Sequence, residues 1–147
     1  MKTTTLCYII NNEQVLMLYR NKKKQDANEG KMIGVGGKLE ENETIEECML
    51  REVEEETGLV CTQYELLGDV FFRLPAWEDE LTYIYRCTGY TGKLKPCTEG
   101  ELRWVNLSDV MDCPLWPGDR LFLPQVLAGE PVHLVLEYDE KDQLITK

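Results

Sequence analysis

Three glutamates close together are the part of this sequence best suited to chemistry. Glu52, Glu55 and Glu56 stand at positions i, i+3 and i+4, so on a helix their carboxylates share one face within a single turn. Each like-charge pair at this spacing destabilises a solvated helix by about 0.2–0.5 kcal/mol. Carboxylate oxygens are the ligands that Mg²⁺ prefers, and Mg²⁺ completes its coordination shell with water and substrate phosphate. The triplet therefore predicts a site for Mg²⁺ and a phosphate-bearing ligand, and a merely solvated acidic face is the alternative.

Residues before and within this segment favour the metal site over the solvated face. Gly36 and Gly37 let the backbone turn tightly and approach a ligand, and the carbonyl of Gly37 is a further candidate metal ligand. Glu43 lies one turn before the predicted helix and Arg51 lies inside it. An ion pair between these two side chains would fix the preceding loop against the helix.

A helix from Thr44 to Thr57 is predicted to hold the triplet. Thr44 can cap its first turn, Glu47 completes a capping box three residues later, and Gly58 is a C-terminal stop. Apolar side chains recur through this segment at helical spacing, at Ile45, Cys48, Met49 and Val53. We expect Ile45, Met49 and Val53 to face the core on the side opposite the carboxylates.

Strands are predicted on both sides of this helix. The patterns favour strands at 4–10, 14–19, 32–35, 60–72, 81–90, 102–105 and 132–138. They favour helices at 107–111 and about 119–127. A turn at 139–142 is expected to close the chain as a strand pair with 132–138. This order predicts an α/β fold with a mixed sheet covered on two faces. At 147 residues the chain is expected to be one domain. The polar segment 20–31 is either a solvated basic loop or a rim that attracts anions to a neighbouring site.

Composition argues against several classes of function. The net charge of −11 disfavours duplex nucleic acid as a partner, because that binding depends on Lys and Arg at phosphates. No secretory leader or membrane-spanning stretch is visible, so a cytoplasmic protein without membrane contact is expected. Six separate cysteines without a C-x-x-C pair predict reduced, mostly buried thiols. Since Ser108 and His133 are the only serine and histidine, a Ser-His or Cys-His nucleophile is disfavoured.

Around the triplet the sequence reads Gly37, five residues, Glu43, seven residues, Arg51-Glu52-Val53, one residue, Glu55-Glu56, one residue and Gly58-Leu59. This spacing resembles the signature of the Nudix hydrolases, which cleave nucleoside diphosphates linked to another group. The resemblance implies a Nudix fold, an α/β/α sandwich around a mixed, partly antiparallel sheet. It also implies that the triplet binds Mg²⁺, for which Mn²⁺ can substitute, and that Glu43 and Arg51 orient it. The metal would lower the pKa of a bound water, and no covalent intermediate is needed.

Nudix enzymes often use a further glutamate, from a loop across the cleft, as metal ligand or base. Glu99, which lies just before a predicted strand and beside Gly100, is the candidate here, and Glu101 is the second choice. Either residue could instead be a plain loop carboxylate.

Three further segments, WVNLSDV, CPLWPGDRLFLP and PVHLVLEYDE, extend the similarity beyond the triplet. They resemble the Nudix branch that hydrolyses purine nucleoside triphosphates, including oxidised ones such as 8-oxo-dGTP. In that branch a Trp-Pro segment lines the base pocket and an acidic residue bonds the purine edge, and these roles fall on Trp116 and Asp119. The alternative is a core aromatic at Trp116 and a helix cap at Asp119.

The chain departs from this branch at Ile33, where some members have an asparagine that contacts the base. Arg20 and Lys38 are candidate contacts to the triphosphate, or ordinary surface charges. We therefore expect a Mg²⁺-dependent pyrophosphohydrolase of small nucleotide substrates, and the sequence leaves the oligomeric state open. Alternatives are hydrolysis of ADP-ribose, which Pro75 favours weakly, hydrolysis of dinucleoside polyphosphates, and a Nudix module that senses a nucleotide without cleaving it.

Overall fold

The computed structural model describes residues 1–21, 29–75, 77–141 and 143–145. Most of the predicted polar loop, residues 22–28, lies outside this range. The strands in the described chain are β1 Lys2–Asn11, β2 Gln14–Tyr19, β3 Met32–Ile33, β4 Val35–Lys38, β5 Leu59–Arg73, β6 Glu80–Gly92, β7 Glu101–Asn106 and β8 Val132–Glu137. Helix α1 spans Ile45–Thr57, a 3₁₀ turn spans Val110–Asp112, and helix α2 spans Asp119–Leu127.

These strands, as far as the structure describes them, form one mixed sheet of eight. Its order is β3-β2-β1-β6-β5-β8, with β4 paired to β1 and β7 paired to β2. The pairs β1–β6 and β5–β8 are parallel, and the remaining pairs are antiparallel. Strand β1 therefore has neighbours along both edges, and its second half is almost entirely buried.

Helices cover both faces of the sheet, as the sequence predicted. On one face, Met49 of α1 belongs to a core cluster with Cys7 of β1. On the other face, Phe122 and Leu123 of α2 belong to a second cluster that contains Tyr8. Cys7 and Tyr8 enter different layers because successive side chains of a strand point to opposite faces. The expected α/β/α arrangement is confirmed.

Helix α1 has the caps that its sequence predicts. The Thr44 hydroxyl accepts the N–H of Glu47 at 3.1 Å, and the Glu47 carboxylate accepts the N–H of Thr44 at 2.9 Å. Gly58 ends the helix in the left-handed region at φ 82°, where a residue without Cβ is favoured. Both ends of α1 are thus fixed by local sequence.

The core-facing side of α1 differs in part from the expectation. Glu56 lies on the buried side together with Val53, although it was expected opposite the core, and Ile45 is only partly buried. The reason is that β4 passes over this turn, where the N–H of Gly36 donates to the Glu56 carboxylate at 3.3 Å. Neighbouring backbone therefore covers a carboxylate that helical periodicity alone would leave in solvent.

The C-terminal part also departs from the predicted pattern. The short helix expected at 107–111 is the 3₁₀ turn Val110–Asp112. The expected final strand pair is reduced to one bridge between Tyr138 and Leu144, and Asp142 of the predicted turn lies outside the described residues. All six cysteines are free thiols, and five of them are buried, as predicted. Among the described helices, none is long and apolar enough to cross a membrane.

Candidate active site

Two glycines of β4 bring its backbone into close contact with its neighbours. A Cβ added at Gly36 would lie 1.8 Å from the carbonyl oxygen of Thr5 on β1. A Cβ added at Gly37 would lie 2.3 Å from the Cδ of Glu52 on α1. A side chain at Gly36 would force β4 away from β1, and a side chain at Gly37 would displace the Glu52 carboxylate. The glycine pair therefore sets the separation between the β4 backbone and the Glu52 carboxylate.

Arg51 joins the loop before α1 to the carboxylates of α1. Its Nε and Nη2 donate to the two oxygens of Glu43 at 2.6 and 3.0 Å, which is a bidentate pair. Its Nη1 donates to Glu52 at 2.7 Å and to Glu55 at 3.3 Å. Its Nη2 also donates to the carbonyl of Lys38 at 3.2 Å. One guanidinium thus holds the loop, the helix and two of the three triplet carboxylates in a fixed relation.

The charges around Arg51 shift in the directions that these contacts dictate. The Arg51 guanidinium lowers the pKa of Glu43 to about 2, and Glu43 in turn raises the pKa of Arg51. The sequence indicated this pair but not the contacts from Arg51 to Glu52 and Glu55. Those contacts leave Glu55 as the outermost of the three, with 57% of its side chain exposed.

Glu56 is the buried member of the triplet, with 6% of its surface exposed. Burial, and then the charges of Glu99 and Glu52, raise the pKa of Glu56 to about 8, while Arg20 and the Gly36 N–H oppose the shift. Burial also raises the pKa of Glu52, against the effect of Arg51. Carboxylates whose pKa rises through burial and mutual repulsion are typical of functional sites.

Glu99 and Arg20, which the sequence proposed separately, form an ion pair with a distance of 2.9 Å between Nη2 and Oε1. Arg20 is 8% exposed. Glu99 lines the same cleft as Glu52, and its charge raises the pKa of both Glu52 and Glu56. Glu101, the second choice, instead contacts Asn21 and Arg103 near the surface. The structure therefore brings Glu99 to the triplet and leaves Glu101 away from it.

We refer to Glu52, Glu55, Glu56 and Glu99 as the carboxylate cluster. In the ranges that the structure describes, no three acidic, histidine or cysteine side chains converge closely enough, as they stand, to hold a metal ion, and Arg51 bonds two members of the cluster. A bound cation would relieve the burial and repulsion that raise the pKa of Glu56. All donors are oxygens, which suits Mg²⁺. The chemistry of the donor set therefore suits a hard divalent cation.

A cleft of about 580 Å³ connects Glu52 and Glu99 of the carboxylate cluster with aromatic and apolar side chains. Its polar lining includes Arg20, Gly37, Lys38, Glu52 and Glu99. Its apolar lining includes Leu6, Ile33, Phe72, Leu74, Trp77 and Trp116. A volume of this size and a mixed lining are typical of small-molecule sites.

Trp116 and Asp119 both line this cleft. Trp116 is buried, packs edge-on against Tyr138 with 5.1 Å between ring centroids, and has the ammonium of Lys31 5.4 Å from its ring. Asp119 is 3% exposed, and burial, with a contribution from Glu80, raises its pKa to about 7. Trp116 is therefore both a core residue and a lining residue.

Asp119 is not the helix cap that the sequence offered as an alternative. The N-cap of α2 is Gly118, and no side chain of the described residues caps this end with a hydrogen bond. Asp119 is the first residue of α2, where a carboxylate is favoured by the helix dipole. Its side chain is thus a buried acid that lines the cleft.

Sequence reasoning missed about half of the lining residues, among them Thr4, Trp77, Glu80 and Thr82. Trp77 is 42% exposed, which is unusual for so large an apolar side chain. Thr4 and Thr82 look like ordinary strand residues in the sequence, and only the pairing of β1 with β6 brings them together. The one local signal in the sequence was a tryptophan, Trp77, between two predicted strands.

Residues 1–126 match the model of the NUDIX domain. The chain therefore belongs to the Nudix family, whose hydrolases act on phosphoanhydrides and generally use divalent metal ions. Oxidized purine nucleoside triphosphate hydrolase of Danio rerio is 30% identical over 128 positions, covering 86% of this chain and 80% of that protein. An uncharacterized Nudix hydrolase of Bacillus subtilis (strain 168) is 24% identical and covers 99% of this chain and 92% of that protein. The crystal structure of the mutator MutT protein from Bacillus halodurans matches with a TM-score of 0.87 at 25% identity, over 99% of this chain and 95% of that chain.

Proposed function

We propose that this protein is a Mg²⁺-dependent pyrophosphohydrolase that cleaves purine nucleoside triphosphates, including 8-oxo-dGTP, to nucleoside monophosphate and pyrophosphate. The observation that supports this most is the cleft, which has Glu52 and Glu99 of the carboxylate cluster and the pair Trp116 and Asp119 in one lining. A nucleotide with its phosphates at the cluster would place its base against an aromatic wall. The Danio rerio relative, an oxidized purine nucleoside triphosphate hydrolase, has an activity of the same class.

In this proposal Glu52, Glu55, Glu56 and the carbonyl of Gly37 hold Mg²⁺, for which Mn²⁺ can substitute. When bound, the ion would neutralise the diphosphate and lower the pKa of an attacking water. Glu99 would be a further ligand or the base that takes the proton from that water. Its position near Glu52 and Glu56 supports this role.

The basic residues of the site would have two different roles. Arg20 and Lys38 line the cleft and would contact the triphosphate. Arg51 would keep the loop of Glu43 against α1 and so position the carboxylate cluster, because its bidentate bond to Glu43 ties the two segments together. Arg51 is therefore proposed as a positioning residue.

At the base, Asp119 would bond the purine edge. A carboxyl group with a pKa of about 7 is present in both protonation states near neutral pH, so it can donate or accept a hydrogen bond. Ile33 lines the same cleft without any polar group. The base would therefore be held mainly by Asp119 and by stacking on Trp116.

We further propose that residues 1–147 form one domain that acts in the cytoplasm on free nucleotides. The net charge of −11 supports the absence of duplex nucleic acid from its partners, since like charges repel. Membrane contact is not part of the proposal.

The test is a product analysis with Mg²⁺ and a panel of dGTP, 8-oxo-dGTP, dATP, ADP-ribose and diadenosine polyphosphates. We expect monophosphate and pyrophosphate from the purine triphosphates, with the highest kcat/KM among this panel. Cleavage of ADP-ribose alone would refute the substrate assignment, and binding without turnover of any compound would refute catalysis. Glu55→Gln and the exposed Glu54→Gln are matched variants on α1, and only the first should lose turnover.

A further inference from the structure

A hydrogen-bonded group of two threonines and one glutamate lies in the cleft outside the carboxylate cluster. The Thr4 hydroxyl donates to Oε2 of Glu80 at 2.7 Å, and the Thr82 hydroxyl lies 3.2 Å from the same oxygen. The two hydroxyls are 2.8 Å apart. Both threonines are buried, at 7% and 1% exposure. All three residues line the cleft.

Strand register places this group beside the residues that are proposed to bind phosphate. Thr4 of β1 is paired on one side with Lys38 of β4 and on the other with Thr82 of β6. Directly paired residues project from the same face of a sheet, so Lys38, Thr4 and Thr82 form one row. Glu80 is two residues from Thr82 on β6 and therefore lies on the same face. A nucleoside next to the phosphates would pass over this row.

The Glu80 carboxylate keeps acceptor capacity toward the cleft. Its Oε2 is held by the threonines, while the contact that the described residues give Oε1 is the ammonium of Lys2 at 3.6 Å. That distance is longer than a normal hydrogen bond, and partly exposed pairs of this kind are weak. When the Thr82 hydroxyl donates to Thr4, the Thr4 hydroxyl donates to Oε2 of Glu80, so the network engages Oε2 and leaves Oε1 outside it. A ligand donor can therefore bind Oε1 without breaking the group.

The opposite side of the cleft supports a ligand at this position. Glu80 contributes to the raised pKa of Asp119, and both residues line this cleft. Phe72 of β5, which pairs with Glu80 of β6, and the exposed Trp77 add apolar surface beside Glu80. A flat, partly apolar group with polar hydrogens matches these surroundings.

We propose that Glu80, oriented by Thr4 and Thr82, is a hydrogen-bond acceptor subsite that selects nucleotides by a donor on the nucleoside. This inference rests on the proposed function and adds a determinant of its substrate range. The donor is the 2′-hydroxyl of the sugar or the exocyclic amino group of the base, each of which presents a polar hydrogen. A carboxylate cannot donate in its ionised form, so a nucleotide that presents an acceptor or no polar hydrogen there is disfavoured.

The experiment compares GTP, dGTP, ITP and dITP in the presence of Mg²⁺. GTP differs from dGTP, and ITP from dITP, in the 2′-hydroxyl of the sugar. GTP differs from ITP, and dGTP from dITP, in the exocyclic amino group of the base. We expect the wild type to favour the donor-bearing member of one kind of pair by about tenfold or more in kcat/KM, the scale of a hydrogen bond to a charged group. Glu80→Gln, which replaces one acceptor oxygen by an NH₂ donor, should abolish that preference mainly through KM.

Two further variants separate the subsite from general effects. Glu78→Gln removes the same charge from a cleft residue whose side chain is 56% exposed, and it should keep the wild-type preference. Thr82→Val keeps the shape but removes one hydroxyl next to Glu80, and it should weaken the preference. Thermal unfolding of each variant shows whether it is folded.

The outcome distinguishes the two possible donors. Loss of the ribose preference in Glu80→Gln assigns the donor to the sugar, and loss of the guanine preference assigns it to the base. The subsite proposal is refuted if the wild type discriminates in neither kind of pair. It is also refuted if Glu80→Gln is folded and changes kcat/KM for all four nucleotides by the same factor.

A binding measurement separates this proposal from the proposed function. Tryptophan fluorescence, with Trp77 and Trp116 in the cleft, reports the affinities of GMP, dGMP and IMP for wild type and Glu80→Gln. If no triphosphate is cleaved but the monophosphate affinities depend on Glu80 in a donor-specific way, the proposed function fails and the subsite stands. Equal affinities in both proteins would refute the subsite whatever the activity.

Discussion

Replacing Asp119 by asparagine is expected to stabilise the protein at alkaline pH. Asp119 is 3% exposed, and its pKa rises from 3.8 to about 7 on folding, chiefly through burial. Between these values the native state keeps a proton that the unfolded chain has lost. The free energy of unfolding therefore falls as pH rises from about 4 to 7 and stays at the lower level above that range. Asparagine is neutral throughout, so it avoids this loss.

The magnitude follows from the same shift. About three pKa units at 1.36 kcal/mol each give roughly 4 kcal/mol as an upper limit on the loss at pH 8. Against this, the neutral side chain gives up about 0.3–1 kcal/mol of favourable interaction with the N-terminal end of α2. Burial outweighs the helix dipole, and the net gain is roughly 3 kcal/mol. In a chain of this size that gain raises Tm by about 6–12 °C.

The assay is chemical and thermal unfolding of wild type and Asp119→Asn at pH 3, 5, 7 and 8.5 without metal. The two proteins should differ little at pH 3, where Asp119 is protonated in both states, and increasingly up to about pH 7. Asp112→Asn, the same substitution at an exposed position before α2, is the control and should leave the pH dependence unchanged. The assignment of a buried neutral acid is wrong if the free energy of unfolding of Asp119→Asn falls between pH 4 and 7 as steeply as that of the wild type. It is also wrong if the variant is less stable than the wild type at pH 8.5.

Three other variants test the carboxylate cluster and its supports. Glu55→Gln should lower kcat by about a hundredfold or more with an unchanged circular-dichroism spectrum, and near wild-type turnover would remove Glu55 from the site. Gly37→Ala should fold but lose most activity, since its Cβ would lie 2.3 Å from the Cδ of Glu52; full steady-state activity would show that this close approach is not needed. Glu43→Gln should lower Tm at pH 7, because the pKa of Glu43 is lowered to about 2 by Arg51. That stabilisation is present above the unfolded pKa of 4.5 and is lost as pH falls toward 2, so a Tm difference that persists at pH 2 would contradict the ion-pair explanation.

Features that depend on local sequence were predictable in this chain. The capping box of Thr44 and Glu47 and the stop at Gly58 involve residues within one turn of each other, so a linear pattern contains all the information. The strands were predicted because β-branched and aromatic runs are bounded by turn residues. The fold class followed from their order.

Features that depend on packing between distant segments were not predictable. Glu56 is buried because β4 crosses it, and helical periodicity is silent about that crossing. The bonds of Arg51 to Glu52 and Glu55 depend on a side-chain conformation that the pair with Glu43 selects. In the same way, no pattern in the sequence relates Thr4 to a residue 76 positions away at Glu80.

Arg51 also bears on how the protein matures. Its contacts with Glu43, Glu52 and Glu55 supply positive charge to α1 from within the chain. An intramolecular counter-ion of this kind lets the helix form on synthesis before any divalent ion has arrived. Formation of α1 therefore does not depend on a bound cation.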